Sequence, residues 1–111
     1  ELTGLLRKTA GLVDVIREAL LPLADKVEMA FVYGSMARGE EHAQIEVDVM
    51  LVGDLEFSEV VLALSDTQTT LRREVNPTVL SRAEFDSKRQ QADSFVAQVW
   101  RGSKLWVVGE P

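Results

Sequence analysis

Residues 34–53 read GSMARGEEHAQIEVDVMLVG and join a tight turn to an unusual strand. Gly34 and Ser35 end one β-rich segment, and a second β-rich segment begins about ten residues later. Side chains alternate between the two faces of a strand, so Glu46 and Asp48 share one face, which is apolar beyond them. Two carboxylates on such a surface repel each other and resist desolvation. Either a cation compensates them or they are open to water.

The turn supplies a complementary feature. Glycine after a strand allows a close approach of the main chain, and if Ser35 begins a short helical turn, its free amides and hydroxyl can hold an anion. Arg38 could reach that anion or hold one of the carboxylates. A phosphate site would then lie beside a divalent-cation site, which is what metal-assisted phosphoryl transfer requires. Taken separately, a Gly-Ser turn most often only joins two elements, and a pair of acids is most often solvated or paired with arginine.

The rest of the chain predicts helices alternating with strands. The apolar spacing predicts a first helix to about Leu21, near Pro22, although Thr9 could cap a later start. Residues 27–33 and 45–52 predict two central strands, and residues 73–80 predict a third that Pro77 marks as an edge strand or a bulge. The remaining predicted elements are a helix over 58–71 capped by Ser58, a helix from the Ser81/Glu84 capping box to about Gln91, a helix capped by Asp93 or Ser94 and ending at Gly102, and a last strand over 104–108.

This order predicts an α/β (α+β) fold with a mixed sheet of about four strands covered by helices. The 111 residues suffice for one domain, so we expect a single unit over residues 1–111, and the start at Glu1 favours the C-terminal part of a longer protein. We expect Trp100 and Trp106 to bury against the sheet and His42, the sole histidine, to be solvated.

The composition limits the partners and the cellular location that we expect for the protein. The formal charge is −6 with no basic stripe, so we expect DNA as a partner only through a missing N-terminal domain. There is no cysteine and no apolar run long enough to span a membrane, and residues 1–12 lack the basic-then-apolar order of a signal peptide. We therefore expect a cytoplasmic protein with no membrane partner.

The motifs GSMARG and EVDVMLVG resemble the signature of the minimal nucleotidyltransferase domains in the DNA polymerase β superfamily. RKTAGLVDVIREAL before the site and REVNPTVLSRAEF after it extend the resemblance over nearly the whole chain, and they are similar to a branch often fused behind a winged-helix DNA-binding domain. The resemblance implies a polymerase-β-like fold and transfer of a nucleoside monophosphate from a nucleoside triphosphate. It also implies two magnesium ions held by three carboxylates.

Residue by residue, the resemblance assigns triphosphate binding to Gly34 and Ser35, with Arg38 and Gly39 completing the turn. It assigns the first two metal carboxylates to Glu46 and Asp48. The family usually has Ser-Asp-x-Asp here, whereas this chain has Ile45-Glu46-Val47-Asp48, which lengthens the first acid by one methylene. Magnesium demands near-octahedral geometry, so the extra reach could weaken the site.

The third carboxylate has two candidates on the next strand. Alignment places Asn76 at the acid position, which leaves only an amide there, and Glu74 on the same face could substitute or could pair with Arg73 as a rim residue. Both remain open as the third metal ligand, and Glu74 is the third candidate catalytic residue.

Two functions follow from these residues. The first is a magnesium-dependent nucleotidyltransferase that moves a nucleotide, AMP from ATP by preference, onto an acceptor hydroxyl of a protein, an RNA end or a small molecule. The second is a catalytically weak or inactive module for nucleotide sensing or protein interaction, in a transcriptional regulator or a toxin–antitoxin pair, with a second copy or a helical protein as partner. The departures at Ile45, Glu46 and the third acid favour the second, because fold does not guarantee chemistry.

Overall fold

The computed structural model describes residues 2–34, 37 and 46–109, with side chains described from residue 11 onwards. Helices and strands alternate along this part of the chain as the sequence pattern predicts. They are α1 (Leu2–Ala19), a 3₁₀ helix (Leu21–Leu23), β1 (Val27–Tyr33), β2 (Glu46–Gly53), α2 (Phe57–Leu71), β3 (Glu74–Leu80), α3 (Arg82–Arg89), α4 (Phe95–Arg101) and β4 (Leu105–Val108).

The sheet is mixed and has the strand order β3-β2-β1-β4. β1 pairs antiparallel with both β2 and β4, whereas β2 and β3 are parallel and are joined by the crossover helix α2. The predictions that the first two strands are central and that Pro77 lies in an edge strand are therefore confirmed. Pro77 is tolerated there because an edge strand has only one neighbour to which it must donate hydrogen bonds.

Helices cover both faces of the sheet because each strand alternates apolar residues toward two separate clusters. On one face, α1 and α2 pack through Ile16 and Val60 against buried strand residues such as Val49. On the other face, α3 and α4 contribute Phe85 and Val96. Glu46 and Asp48 alternate onto this second face, in line with Met50 and Val52. The acids therefore lie at the end of an otherwise apolar surface.

The two tryptophans lie where the sequence predicts them. The rings of Trp100 and Trp106 are half-buried and pack on Phe31, with ring centroids 6.2 Å and 5.1 Å away. Phe31 meets Trp100 edge to face and Trp106 at a tilt, and aromatic pairs of this kind add to the stability gained from the buried apolar area.

One predicted helix start is wrong, and one alternative start is not observed. The first helix runs unbroken from Leu2 to Ala19, so Thr9 does not cap a later start; threonine costs a helix interior only a few tenths of a kcal/mol. α2 begins one residue before the predicted cap, because Glu59 accepts a 2.9 Å hydrogen bond from the amide of Glu56 and thereby takes the capping role expected of Ser58. The predicted Ser81/Glu84 capping box is confirmed, and of the two predicted caps for α4 it is Ser94 that accepts from Ala97.

None of the helices in the described part of the chain combines the length and the apolar character needed to cross a membrane.

Candidate active site

The end of β1 and the start of β2 bring the turn into contact with an acid. Tyr33 pairs with Asp48 across the antiparallel strands, and Gly34 follows at once. Gly34 has φ = +80°, a conformation that side chains disfavour, and a Cβ atom added there would lie 3.0 Å from Oδ2 of Asp48. Glycine at this position therefore permits the positive φ of the turn and leaves room for the carboxylate of Asp48.

The parallel pairing of β2 with β3 sets the other side of the site. Glu46 pairs with Glu74, and Asp48 pairs with Asn76. The Nδ2 atom of Asn76 donates a 3.3 Å hydrogen bond to Oε1 of Glu46, and the same side chain is hydrogen bonded to Asp48. A single amide therefore bridges the two carboxylates that the sequence singles out.

The environment of Asp48 disfavours its charge. Burial is the main reason that its pKa lies above the ordinary value of an aspartate; the hydrogen bond from Asn76 opposes this rise, and the negative charge of Glu46 adds to it. Desolvation and a like charge both favour the neutral acid. None of the ion pairs between described side chains includes Glu46 or Asp48. Within the described residues the acid pair is compensated by an amide and not by a base.

Tyr33 extends the polar strip along the same face. Its hydroxyl lies 3.4 Å from Oγ1 of Thr78, one of the two being the donor. Burial raises the pKa of Tyr33; the hydrogen bond with Thr78 lowers it, and the charge of Asp48 raises it further. The phenol therefore stays protonated beside the acid, where it can donate a hydrogen bond.

The donor atoms suit a hard divalent cation. Glu46 and Asp48 offer carboxylate oxygens, and the amide of Asn76 offers one more oxygen if it rotates, which is the ligand type that magnesium prefers. Among the described residues, no group of three or more Asp, Glu, His or Cys side chains is placed to hold a metal ion. Glu74 is exposed beside its partner Glu46, and it stays a candidate third ligand, as does Asn76.

The remaining predicted site residues cannot be placed in the same way. Ser35, Arg38 and Gly39, and also His42 and Ile45, lie outside the described residues. Their roles stay predictions.

The structure adds a feature that the sequence analysis missed. A cleft of about 280 Å³ begins at Tyr33 and Gly34 and continues along one side of α4. Phe95, the first residue of α4, borders this cleft and is 55% exposed. The only signal in the sequence was its position directly after the cap Ser94, where a side chain need not face the core.

Comparison with known proteins shows the family of the chain. A family profile described as the nucleotidyltransferase domain matches residues 13–106, which is most of the chain. The chain belongs to the nucleotidyltransferase domain family. Its place in the DNA polymerase β superfamily, expected from GSMARG and EVDVMLVG, is thereby confirmed.

Solved structures agree with the nucleotidyltransferase fold. One similar structure is a provisionally assigned nucleotidyltransferase from Sulfolobus solfataricus, with a TM-score of 0.51 and 17% identity over 92% of this chain and 84% of that one. Another is a mutant of the toxin–antitoxin pair MntA–HpeT, with a TM-score of 0.50 and 17% identity over 82% of this chain and 68% of that one. No curated protein matches the sequence. At this level of identity the structures support the fold alone.

Proposed function

We propose that this nucleotidyltransferase domain is a magnesium-dependent enzyme that transfers a nucleoside monophosphate, with AMP from ATP as the first candidate, to an acceptor hydroxyl. The observation that carries the proposal is the contact between the turn and the acid strand, where a Cβ atom on Gly34 would lie 3.0 Å from Oδ2 of Asp48. A phosphate-binding turn and a metal-binding carboxylate must be this close if one triphosphate is to contact both.

The reaction itself is a displacement at phosphorus. The acceptor oxygen bonds to the α-phosphorus, the bond from that phosphorus to the α,β-bridging oxygen breaks, pyrophosphate leaves, and the proton of the hydroxyl passes to water. Magnesium would supply positive charge that neutralises the phosphate oxygens. In this proposal Glu46 and Asp48 hold the ion, with Asn76 or Glu74 as third ligand.

The other residues of the proposed site bind and orient the nucleotide. Gly34 and Ser35 hold triphosphate oxygens through main-chain amides and the serine hydroxyl, with Arg38 and Gly39 completing the turn. Binding of the triphosphate beside the acid pair holds the reacting groups in a fixed relative geometry. Positioning of this kind accounts for much of the acceleration in phosphoryl transfer.

A second function is favoured by one specific observation. Asn76, an amide, lies opposite Asp48 where the resemblance leads us to expect a carboxylate. A site with fewer negative ligands binds divalent cations less tightly, so the domain could bind nucleotide without turnover. One structural neighbour is part of a toxin–antitoxin pair, which supports association with a partner protein as the output of such a module.

Thermal unfolding with and without magnesium and ATP tests nucleotide binding. A ligand at 100 times its Kd stabilises the native state by about 2.7 kcal/mol, which for a domain of this size raises Tm by on the order of 10 °C. We expect Asp48→Asn and Glu46→Gln to abolish the rise. Asp66→Asn, an exposed acid on α2, is the matched control and should retain it. An unchanged Tm in wild-type protein at millimolar magnesium and ATP would contradict the enzyme and the nucleotide-binding module, and would leave only protein interaction.

Transfer of label from ATP separates the two functions. With label in the α-phosphate, the enzyme should release unlabelled pyrophosphate and leave label on an acceptor, and Asp48→Asn should lose this activity while it keeps its fold. Stabilisation by ATP without label transfer to any co-purified protein, RNA or small molecule would favour the binding module.

A further inference from the structure

The cleft beside α4 has a lining of distinctive chemistry. Its described lining residues are all uncharged: Tyr33, Gly34, Phe95, Gln98, Val99, Gly102 and Ser103. The acid pair lies outside it, although Gly34 belongs to the cleft and also approaches Asp48. An uncharged lining does not compensate a phosphate group, so this cleft suits a neutral part of a ligand whose charged part lies at the acid pair.

Aromatic side chains define one wall of the cleft. The ring of Phe95 is 55% exposed and meets the half-buried ring of Tyr33 edge to face, with the ring centroids 5.8 Å apart. The hydroxyl of Tyr33 lies 3.4 Å from Oγ1 of Thr78, which favours one orientation of the ring that Phe95 contacts. An exposed aromatic ring is a platform on which a flat heterocycle can stack.

Polar groups occur on the same cleft. Gln98 contributes a side-chain amide and Ser103 a hydroxyl, and both are exposed. Groups of this kind can pair with the edge of a heterocyclic base, which has both donors and acceptors. The volume of about 280 Å³ lies at the lower end of the range for small-molecule sites, so it suits a base with its sugar better than a whole nucleoside triphosphate.

We propose that the cleft lined by Tyr33, Phe95 and Gln98 binds the nucleobase of the nucleotide whose triphosphate lies at Gly34 and the acid pair. This inference rests on the proposed function, since it assigns a place to another part of the same ligand. Gly34 is the junction, because it borders the cleft on one side and Asp48 on the other.

Calorimetric titration with two magnesium-bound ligands tests the nucleobase site. ATP carries a base, whereas inorganic tripolyphosphate carries a similar phosphate chain without one. Wild-type protein should bind ATP more tightly than tripolyphosphate. Phe95→Ala should weaken ATP binding by about fivefold to 150-fold, the range for loss of one base–aromatic stack, and leave tripolyphosphate binding unchanged.

Two further variants keep this test specific. Phe57→Ala removes a phenylalanine of similar exposure, 58%, from α2 on the opposite face of the sheet, and it should bind both ligands as wild type does. Phe95→Trp preserves an aromatic platform and should retain the preference for ATP. Circular dichroism of each variant establishes that the fold is intact.

The outcomes separate the nucleobase site from the proposed function. Equal affinity of wild-type protein for ATP and tripolyphosphate would overturn the nucleobase site and leave the triphosphate site standing. An unchanged ATP preference in Phe95→Ala would also overturn it, and would favour a different occupant of the cleft, such as a partner protein. Failure of both ligands to bind would overturn the proposed function together with the nucleobase site.

Discussion

Asn76 lies opposite Asp48 in the parallel pairing of β2 and β3, and its amide donates a 3.3 Å hydrogen bond to Glu46. The amide thus satisfies both acids at the position where a third carboxylate would create a cluster of three negative charges. Asn76 is therefore a side chain through which the acid pair can be perturbed without removal of either acid. It also provides a direct test of the metal site.

Asn76→Asp should make the domain more dependent on magnesium. Without metal, the new carboxylate faces like charges, and we expect a loss of roughly 1 kcal/mol in the free energy of unfolding. With magnesium present, the extra negative ligand should strengthen binding, so the magnesium-induced rise in Tm should exceed that of wild type. Thermal unfolding in EDTA and in millimolar magnesium measures both effects.

Glu74→Gln is the companion variant for Asn76→Asp. If Glu74 is the third ligand, Glu74→Gln should reduce the magnesium-induced rise in Tm. If Asn76 takes that place, Glu74→Gln should leave the rise unchanged, because Glu74 is exposed and pairs with Glu46 at the outer end of the strands. A smaller magnesium response in Asn76→Asp than in wild type would contradict the site.

Ionisation of Asp48 should lower the free energy of unfolding as the pH rises. Its pKa in the folded state lies above the ordinary value, chiefly because of burial. Between the unfolded and folded pKa values the native state binds more protons than the unfolded state, so the free energy of unfolding falls as pH rises through this window. Above the folded pKa of Asp48 the free energy of unfolding does not fall further for this reason. Asp48→Asn should therefore gain stability relative to wild type from about pH 4 upward and then level off.

Urea unfolding in EDTA across pH 3 to 8 measures this difference between wild type and Asp48→Asn. Asp66→Asn supplies the reference for loss of an exposed carboxylate. Magnesium should reduce the advantage of Asp48→Asn in the neutral range, since a cation stabilises the ionised carboxylate. A constant difference between the two proteins at all pH values would contradict the effect of burial at Asp48.

Gly34→Ala and Gly11→Ala should change stability in opposite directions. At Gly34 an alanine meets both a positive φ of +80° and Oδ2 of Asp48 at 3.0 Å, so we expect a loss of about 1–2 kcal/mol and a weaker response to magnesium and ATP. At Gly11, inside α1, an added Cβ atom meets nothing within 4 Å, so we expect a gain of up to about 1 kcal/mol. Urea unfolding of both variants measures these changes, and a stabilised Gly34→Ala protein would refute the proposed role of this turn.

Gln68→Leu should destabilise the domain by about 1–2 kcal/mol. The Oε1 atom of Gln68 accepts a 2.9 Å hydrogen bond from the amide of Val75, a buried residue at the start of β3. Removal of the acceptor leaves that amide without its partner. Gln68→Glu retains an acceptor of the same length and should lose much less. Equal unfolding midpoints for the two variants would show that this bond contributes nothing.

Local signals in the sequence predicted the helices and strands but not which residues of different elements lie beside one another. The bounds of β1 and the capping box at Ser81 were predictable because propensity and capping act over a few neighbouring residues. The strip of Glu46 and Asp48 on one face followed from strand periodicity alone. The Ser58 prediction failed because Glu56 and Glu59 form a reciprocal capping box, in which each side chain accepts from the other's amide and the helix begins at Phe57.

The register that places Asn76 beside Asp48 could not be predicted from residue patterns. It depends on how α2 packs against the sheet before β3 begins, and a shift of one residue would reverse the faces of β3. The cleft at Phe95 was hidden for the same reason, since Tyr33 and Phe95 are far apart in the chain and meet only through the packing of α4.

The two edge strands of the sheet limit the ways in which this domain can associate with other proteins. On β3, Pro77 has no amide to donate and Gln68 occupies the amide of Val75; on β4, Arg17 donates a 2.8 Å hydrogen bond to the carbonyl of Val107. Edges protected in this way discourage indiscriminate strand addition. Contacts between side chains are then favoured over strand pairing, so point substitutions on the helices can alter association without any change to the sheet or the acid pair.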